Sequence, residues 1–405
     1  MRCWIGIGVW LVVVGFGAEE RGLAMEKGKP VEVKIKSSVD GTEQPNIIQV
    51  PTDCDGSKAL PLLVGLHSWS ADYKQQVKAM ALRALKRGWL LVLPNFRGPN
   101  LPKNPNPKQA CASLLAQHDI IDSVNYMIEH FNVDRRRIYL AGGSGGGHMS
   151  QMMAAKYPDL WAGVSAWCGI SNIGVWHGEN KGYAKGIEAC AGGKPGASPE
   201  VDWECFRRSP VNLIRNARNT NLDIRHGHMD KSVPYHHSLD SFNELMKVKS
   251  ERVTLTLFDG GHEFHVGEAF DWLSKQTKDD TPPTCLTLIT DEAKPYYYAT
   301  LVPAKAMRPG RCEIAIGEDG AIAIEADGLK ELRLNREDMG LKKNEATLAV
   351  ESTSGPFALC LDGIASPDVS CAKKAARTWE YDEKKRTLTI SVAAEDVPIE
   401  YAIRF

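Results

Sequence analysis

The sequence has no Cys-x-x-Cys pair and no Cys/His cluster at metal-ligand spacing, which argues against a structural zinc site. It has no excess of either charge: 49 Lys and Arg stand against 50 Asp and Glu, a net charge of −1, so no basic face for nucleic acid is expected. It has no apolar run of the ~20 residues a membrane-spanning helix needs; the run from Cys3 to Phe16 is shorter. No Gly-Lys-Ser/Thr follows its glycine-rich segment, which excludes a Walker-type phosphate loop.

What is present begins at the N-terminus. Arg2 precedes the apolar run, the small residues Gly15, Gly17 and Ala18 close it, and Glu19-Glu20-Arg21 follows. This order predicts a secretory signal peptide over residues 1–18 and a secreted or periplasmic protein with no stable membrane insertion after cleavage, an uncleaved signal anchor being the alternative. Ten cysteines fit an oxidising compartment. Cys3 leaves with the signal, so nine remain and at least one is unpaired. Sequence does not give connectivity; Cys54–Cys111 and Cys190–Cys205 are two of the pairings it leaves open.

The length suits two domains. From residue 31 to 275, short apolar runs alternate with helical patterns. Leu60–His67, Gly88–Pro94, Arg137–Ala141, Leu160–Trp167, Leu222–Arg225 and Val253–Phe258 read as buried strands separated by helices. That pattern predicts a mostly parallel, eight-stranded α/β sheet with helices on both faces, Val31–Lys36 and Ile47–Val50 adding antiparallel edge strands. Residues 171–217, rich in Gly and Pro, break the alternation and read as a long, irregular, cap-like insertion. Residues 276–284 form a polar linker with two prolines. From 285 to 405, period-two segments such as Thr387–Val392 predict a small β-sandwich accessory domain.

The chemistry centres on Gly142-Gly-Ser-Gly-Gly146, between a strand and a helix. A nucleophile on a tight strand-to-helix turn needs small neighbours, and Ser144 has them on both sides. Serine is inert at neutral pH without a base, and the base needs an orienting carboxylate. Asp230 lies just past the strand Leu222–Arg225, and His262 follows Gly260-Gly261 past the strand Val253–Phe258, in the required order Ser, acid, His. His265 is the rival base. Two backbone donors must hold the oxyanion: Gly145 N–H, directly after the nucleophile, and Trp69 N–H in Leu66-His-Ser-Trp-Ser70. His148 and Arg97 are assigned to packing and ion pairing. Trp69, Trp176 and His177 are candidates for the pocket wall. No metal or organic cofactor is expected.

At Arg137-Ile-Tyr-Leu-Ala-Gly-Gly-Ser-Gly-Gly-Gly147, His226-Gly-His-Met-Asp-Lys-Ser-Val-Pro234 and Gly260-Gly-His262 the chain resembles the prolyl oligopeptidase-like, esterase-like branch of the α/β-hydrolases, in particular exported bacterial members with a C-terminal β domain. The resemblance implies a Ser144–Asp230–His262 triad with Gly145 as oxyanion donor. It departs from that branch in two ways. Ser68 stands where the loop usually carries glycine, and no propeller repeats appear before the hydrolase strands. The second departure favours an ester over a peptide. The expected protein is an exported serine hydrolase cleaving acyl esters on polysaccharides, with a serine-type peptidase and a non-catalytic carbohydrate-binding protein as the alternatives.

Overall fold

The computed structural model describes residues 26–341, 343, 345–371 and 379–404; the signal-peptide expectation for residues 1–18 lies outside the described residues. Eight strands form the first sheet: β1 (Val31–Lys36), β2 (Glu43–Gln49), β3 (Leu60–Leu66), β4 (Leu90–Pro94), β5 (Val133–Gly143), β6 (Gly163–Trp167), β7 (Leu222–Gly227) and β8 (Val253–Phe258). Their order is β1-β2-β4-β3-β5-β6-β7-β8. Only the β1–β2 and β2–β4 pairs are antiparallel. Strands β4 and β6 are buried along their whole length, as expected of a sheet covered on both faces.

The helices are α1 (Val77–Lys86), α2 (Leu114–His130), α3 (Gly145–Lys156), α4 (Ile173–Glu179), α5 (Lys181–Ala191), α6 (Pro199–Arg207), α7 (His236–Lys247) and α8 (Val266–Leu273). Helices α2 and α3 place Ala116, Ile120, Val124, Met149 and Met153 on one face of the sheet. Helices α1 and α8 cover the other face with Met80, Ala84, Phe270 and Leu273. Among the described residues no helix is long and apolar enough to cross a membrane.

Residues 171–217 depart from the irregular segment expected. They hold α4, α5 and α6, whose starts are capped by the side chains of Asn172, Asn180 and Ser198. Gly192, left-handed at φ +87°, ends α5. The Gly, Pro, Ser and Asn that break the hydrophobic periodicity are therefore helix caps and stops.

Beyond Cys285 two six-stranded sheets face one another. Leu286, Leu288 and Ile324 of one and Leu332, Leu359 and Ile390 of the other share a single apolar core. This β unit docks under the C-terminal end of α3. Lys156 bonds Asp291 and Glu292, Arg207 bonds Asp291 at 2.8 Å, and Asn216 pairs with both backbone groups of Ile289 at 2.9 and 2.7 Å.

Neither of the two cysteine pairings named from the sequence is formed. Cys54, Cys111, Cys190 and Cys205 are all free thiols. Cys54 packs against the core beneath α2, whereas Cys111, Cys190 and Cys205 sit together in another cluster.

Candidate active site

Four loops at the carboxyl ends of β3, β5, β7 and β8 carry the residues singled out by sequence. In open α/β sheets this is the edge where ligands bind. Ser144 is the whole link between β5 and α3, at φ +58° and ψ −119°, with its N–H bonded to Trp167 O at 2.8 Å. Such left-handed backbone is costly for a residue with a Cβ and persists only where its surroundings enforce it. The turn closes because its flanks are bare: a Cβ on Gly142 would stand 2.5 Å from Gly146 O.

The loop after β3 lies against this turn. A Cβ on Gly145 would stand 2.3 Å from Trp69 N, so the N–H groups of Gly145 and Trp69 share one small region, and among the described residues no acceptor takes either. Ser68, the departure noted in the sequence, is clamped by Gln75, which accepts from Ser68 N at 2.7 Å and donates to Ser68 Oγ at 2.9 Å. His67 locks the same loop from behind, bridging Ser68 O and Asn95 O at 2.9 and 2.7 Å.

Asp230 is buried and fully engaged. Its Oδ1 accepts from the N–H groups of Ser232 and Val233 at 2.8 and 3.0 Å. Its Oδ2 pairs with His262 Nδ1 at 2.6 Å and His226 Nε2 at 3.1 Å. Burial pushes the carboxyl up, but the bonds from His226, His262 and Val233 outweigh it and hold Asp230 well below the usual carboxylate range. His262 keeps 29% of its side chain exposed, leaving Nε2 accessible. Its loop lies over the Ser144 turn: a Cβ on Gly143 would meet Phe264 Cβ at 2.7 Å, and Cys168 Sγ donates to Glu263 O at 3.2 Å. Among the described residues no hydrogen bond engages Ser144 Oγ. His265 is occupied elsewhere, between Glu263 and Glu268 at 2.8 and 3.1 Å.

His226 escaped the sequence reading. It is fully buried at the end of β7. Val233 O, an acceptor only, lies 2.8 Å from its Nε2, so that nitrogen carries the proton, and Ser238 Oγ supplies Nδ1 at 2.7 Å. The ring thus braces the carboxylate at the same Oδ2 that meets His262. The available signal was its position four residues before Asp230, at a strand end. Cys168 Sγ, His226 and Asp230 place possible ligand atoms within 4.8 Å of one another. Both His226 nitrogens are bonded, however, and burial pushes the Cys168 thiol up to about 11, so the trio suits hydrogen bonding better than a metal. Glu179, His236 and His237 form a second such group, in which Glu179 already pairs with both rings at 2.7 and 3.1 Å.

The remaining sequence candidates are structural. His148 donates Nε2–H to Arg208 O at 2.7 Å, and burial pushes it down to about 4. Arg97 pairs with Asp40 and Asp119 at 2.8 and 2.5 Å. Trp69 and Trp176 meet edge to face at 4.9 Å, and Tyr183 stacks on Trp176 at 4.6 Å. Trp69, Trp176 and His177 are buried and Tyr183 partly so, so these rings form a packed support rather than the open pocket wall expected.

Residues 78–278 match the Prolyl oligopeptidase family. The chain is 28% identical over 116 residues to acetylxylan esterase A of Emericella nidulans, covering 29% of this chain and 37% of that protein. It is 30% identical over 127 residues to feruloyl esterase B of Neurospora crassa, covering 28% of this chain and 38% of that protein. The chain thus spans less than two fifths of either relative. A puromycin-hydrolyzing peptidase of Mycobacterium tuberculosis superposes with a TM-score of 0.50 at 16% identity, over 60% of this chain and 38% of that one, a likeness of fold alone.

Proposed function

We propose that the chain, whose residues 78–278 match the Prolyl oligopeptidase family, is a serine hydrolase of the α/β-hydrolase fold that cleaves carboxylic esters, with acyl groups on polysaccharides as the substrate class. The observation that carries the mechanism is the Asp230–His262 bond of 2.6 Å, on a loop that leaves His262 Nε2 free and lies against the Ser144 turn.

In this reading Ser144 Oγ attacks the ester carbonyl as His262 Nε2 takes its proton. Asp230 holds the ring in the tautomer that accepts at Nε2 and stabilises the imidazolium that forms. The carbonyl oxygen becomes an oxyanion beside the N–H groups of Gly145 and Trp69, preset dipoles that need no reorganisation. His262 then protonates the leaving alcohol. Water, activated by the same ring, releases the acid and restores Ser144. Residues 171–217 would cap the site and support it through Trp176, whose Nε1–H donates to Ser232 O at 2.9 Å.

The names of the two esterase relatives support an ester substrate. Acetylated and feruloylated xylan fragments, aryl esters and peptide amides should be assayed side by side with wild type and Ser144→Ala. Ser144-dependent release of acetate or ferulate, with peptide amides left intact, is the expected result. Faster cleavage of the amides would overturn the ester assignment and leave a peptidase.

A further inference from the structure

Two cysteines far apart in sequence meet in the interior. Cys190 lies on α5 within the 171–217 insertion, and Cys111 lies in the turn leading into α2. Their residues are 0% and 1% exposed, and both belong to the apolar cluster that contains Trp69 and Trp176. Helix α5 lies against the segment that carries Cys111: a Cβ on Gly186 would stand 2.7 Å from Asn100 O, and one on Gly192 3.2 Å from Lys108 Cε. Hydrogen bonding with Cys111 draws the Cys190 thiol below its ordinary value, while burial pushes the Cys111 thiol up.

The surroundings, not the thiols, fix this approach. Cys111 and Ala112 are consecutive left-handed residues at φ +51° and +53°, backbone that residues with a Cβ adopt only when held there. Cys111 N–H donates to Asn100 Oδ1 at 2.8 Å. Arg208, at the end of α6, donates to the carbonyls of Lys108, Ala110 and Cys111 at 2.8, 2.6 and 3.2 Å. Cys205 shares the cluster, its thiol pushed up to about 11 by burial.

We propose that Cys111 and Cys190 are a disulfide site, whose closure fastens the 171–217 insertion to the segment that supports the Trp69 loop. Asn100, which anchors Cys111, also donates its own N–H to Trp69 O at 2.8 Å, so the bridge ties the insertion to the loop presenting the second oxyanion donor. The oxidant is a small-molecule disulfide such as glutathione disulfide. The Cys190 thiolate attacks it and releases one glutathione thiolate. The Cys111 thiolate then displaces the second, so one disulfide is made, one is consumed, and two thiols leave. Burial of both sulfurs places the step during folding, before the cluster closes. The connectivity differs from both pairings that sequence left open, and Cys205 stays a thiol.

The test is peptide mapping of the full chain folded in a glutathione/glutathione disulfide buffer, with free thiols blocked by iodoacetamide before unreduced digestion. The expected result is the Cys111 peptide linked to the Cys190 peptide, two hydrogens lighter than their sum, with Cys205 alkylated. Reduction should lower the Tm of this material by about 10 °C. Cys111→Ser and Cys190→Ser should each start at the lower Tm and not respond to reductant, whereas Cys205→Ser should behave as wild type. Alkylation of both Cys111 and Cys190 in the oxidatively folded wild type, or a link from either to another cysteine, would overturn the proposal. The mapping uses wild type alone, so it decides the matter even if a variant fails to fold.

Discussion

Asp230 and Asp291 are both carboxylates removed from water, and both are held below their ordinary range against the push of burial. Their partners differ. Asp291 faces Lys156 and Arg207 at the junction with the β unit, and Lys156 is entirely buried. Asp230 faces two imidazoles, one of them 29% exposed with a free nitrogen. A fixed cation can only neutralise its carboxylate, whereas a histidine can take a proton from one group and give it to another. A perturbed carboxylate is therefore no mark of a site by itself; the exchangeable partner is.

Exchanging the carboxylates' chemistry separates the two roles most sharply. Asp230→Asn keeps an acceptor at Oδ1 but presents the wrong hydrogen bond to His262. A fall in kcat of about 10⁴-fold is expected, with Tm close to wild type. Lys156→Met should do the reverse. It leaves Asp291 with Arg207 alone and Glu292 without its cation, costing about 3–5 kcal/mol in chemical denaturation, with kcat per folded molecule unchanged. Loss of activity without loss of stability at Lys156 would erase the distinction.

Acid should act on the structural histidines before it reaches either carboxylate. Burial holds His148 and His237 at about 4 in the folded state, against about 6.5 unfolded. The stability they lend as neutral rings is present above about pH 6.5 and is lost as pH falls toward 4, with unfolding taking up about one proton per ring. Tm measured across that interval should fall, and His148→Gln should flatten the slope. The smallest effect is expected at Gln75→Ala. It frees Ser68 without removing a donor, so kcat should drop by about tenfold, short of the hundredfold or more that losing a donor outright costs.

Much of this was legible in the chain itself. The apolar strands carry their own hydrophobic signal, so Val253–Phe258 has the same bounds in sequence and structure, although as the edge strand β8 it is half exposed rather than buried. The strand-to-helix turn at Ser144 was readable because its glycines are a steric demand of that turn. Residues 171–217 were misread because their helices are short and take their definition from caps and buried aromatics, not from a long apolar stripe. His226 was missed because its role depends on Val233 O and Ser238 Oγ, which only folding brings to its two nitrogens. Cysteine pairing failed for the same reason: spacing says nothing of which thiols the insertion brings together.

The central claim is that Ser144 is a nucleophile activated through His262 and Asp230. Covalent labelling by a fluorophosphonate, located by peptide mapping, tests it most directly. One equivalent on Ser144 is expected, abolished in Ser144→Ala and greatly slowed in Asp230→Asn. A folded wild type that stays unlabelled, or that carries the label on another residue, would contradict the account and favour a binding protein built on a hydrolase scaffold.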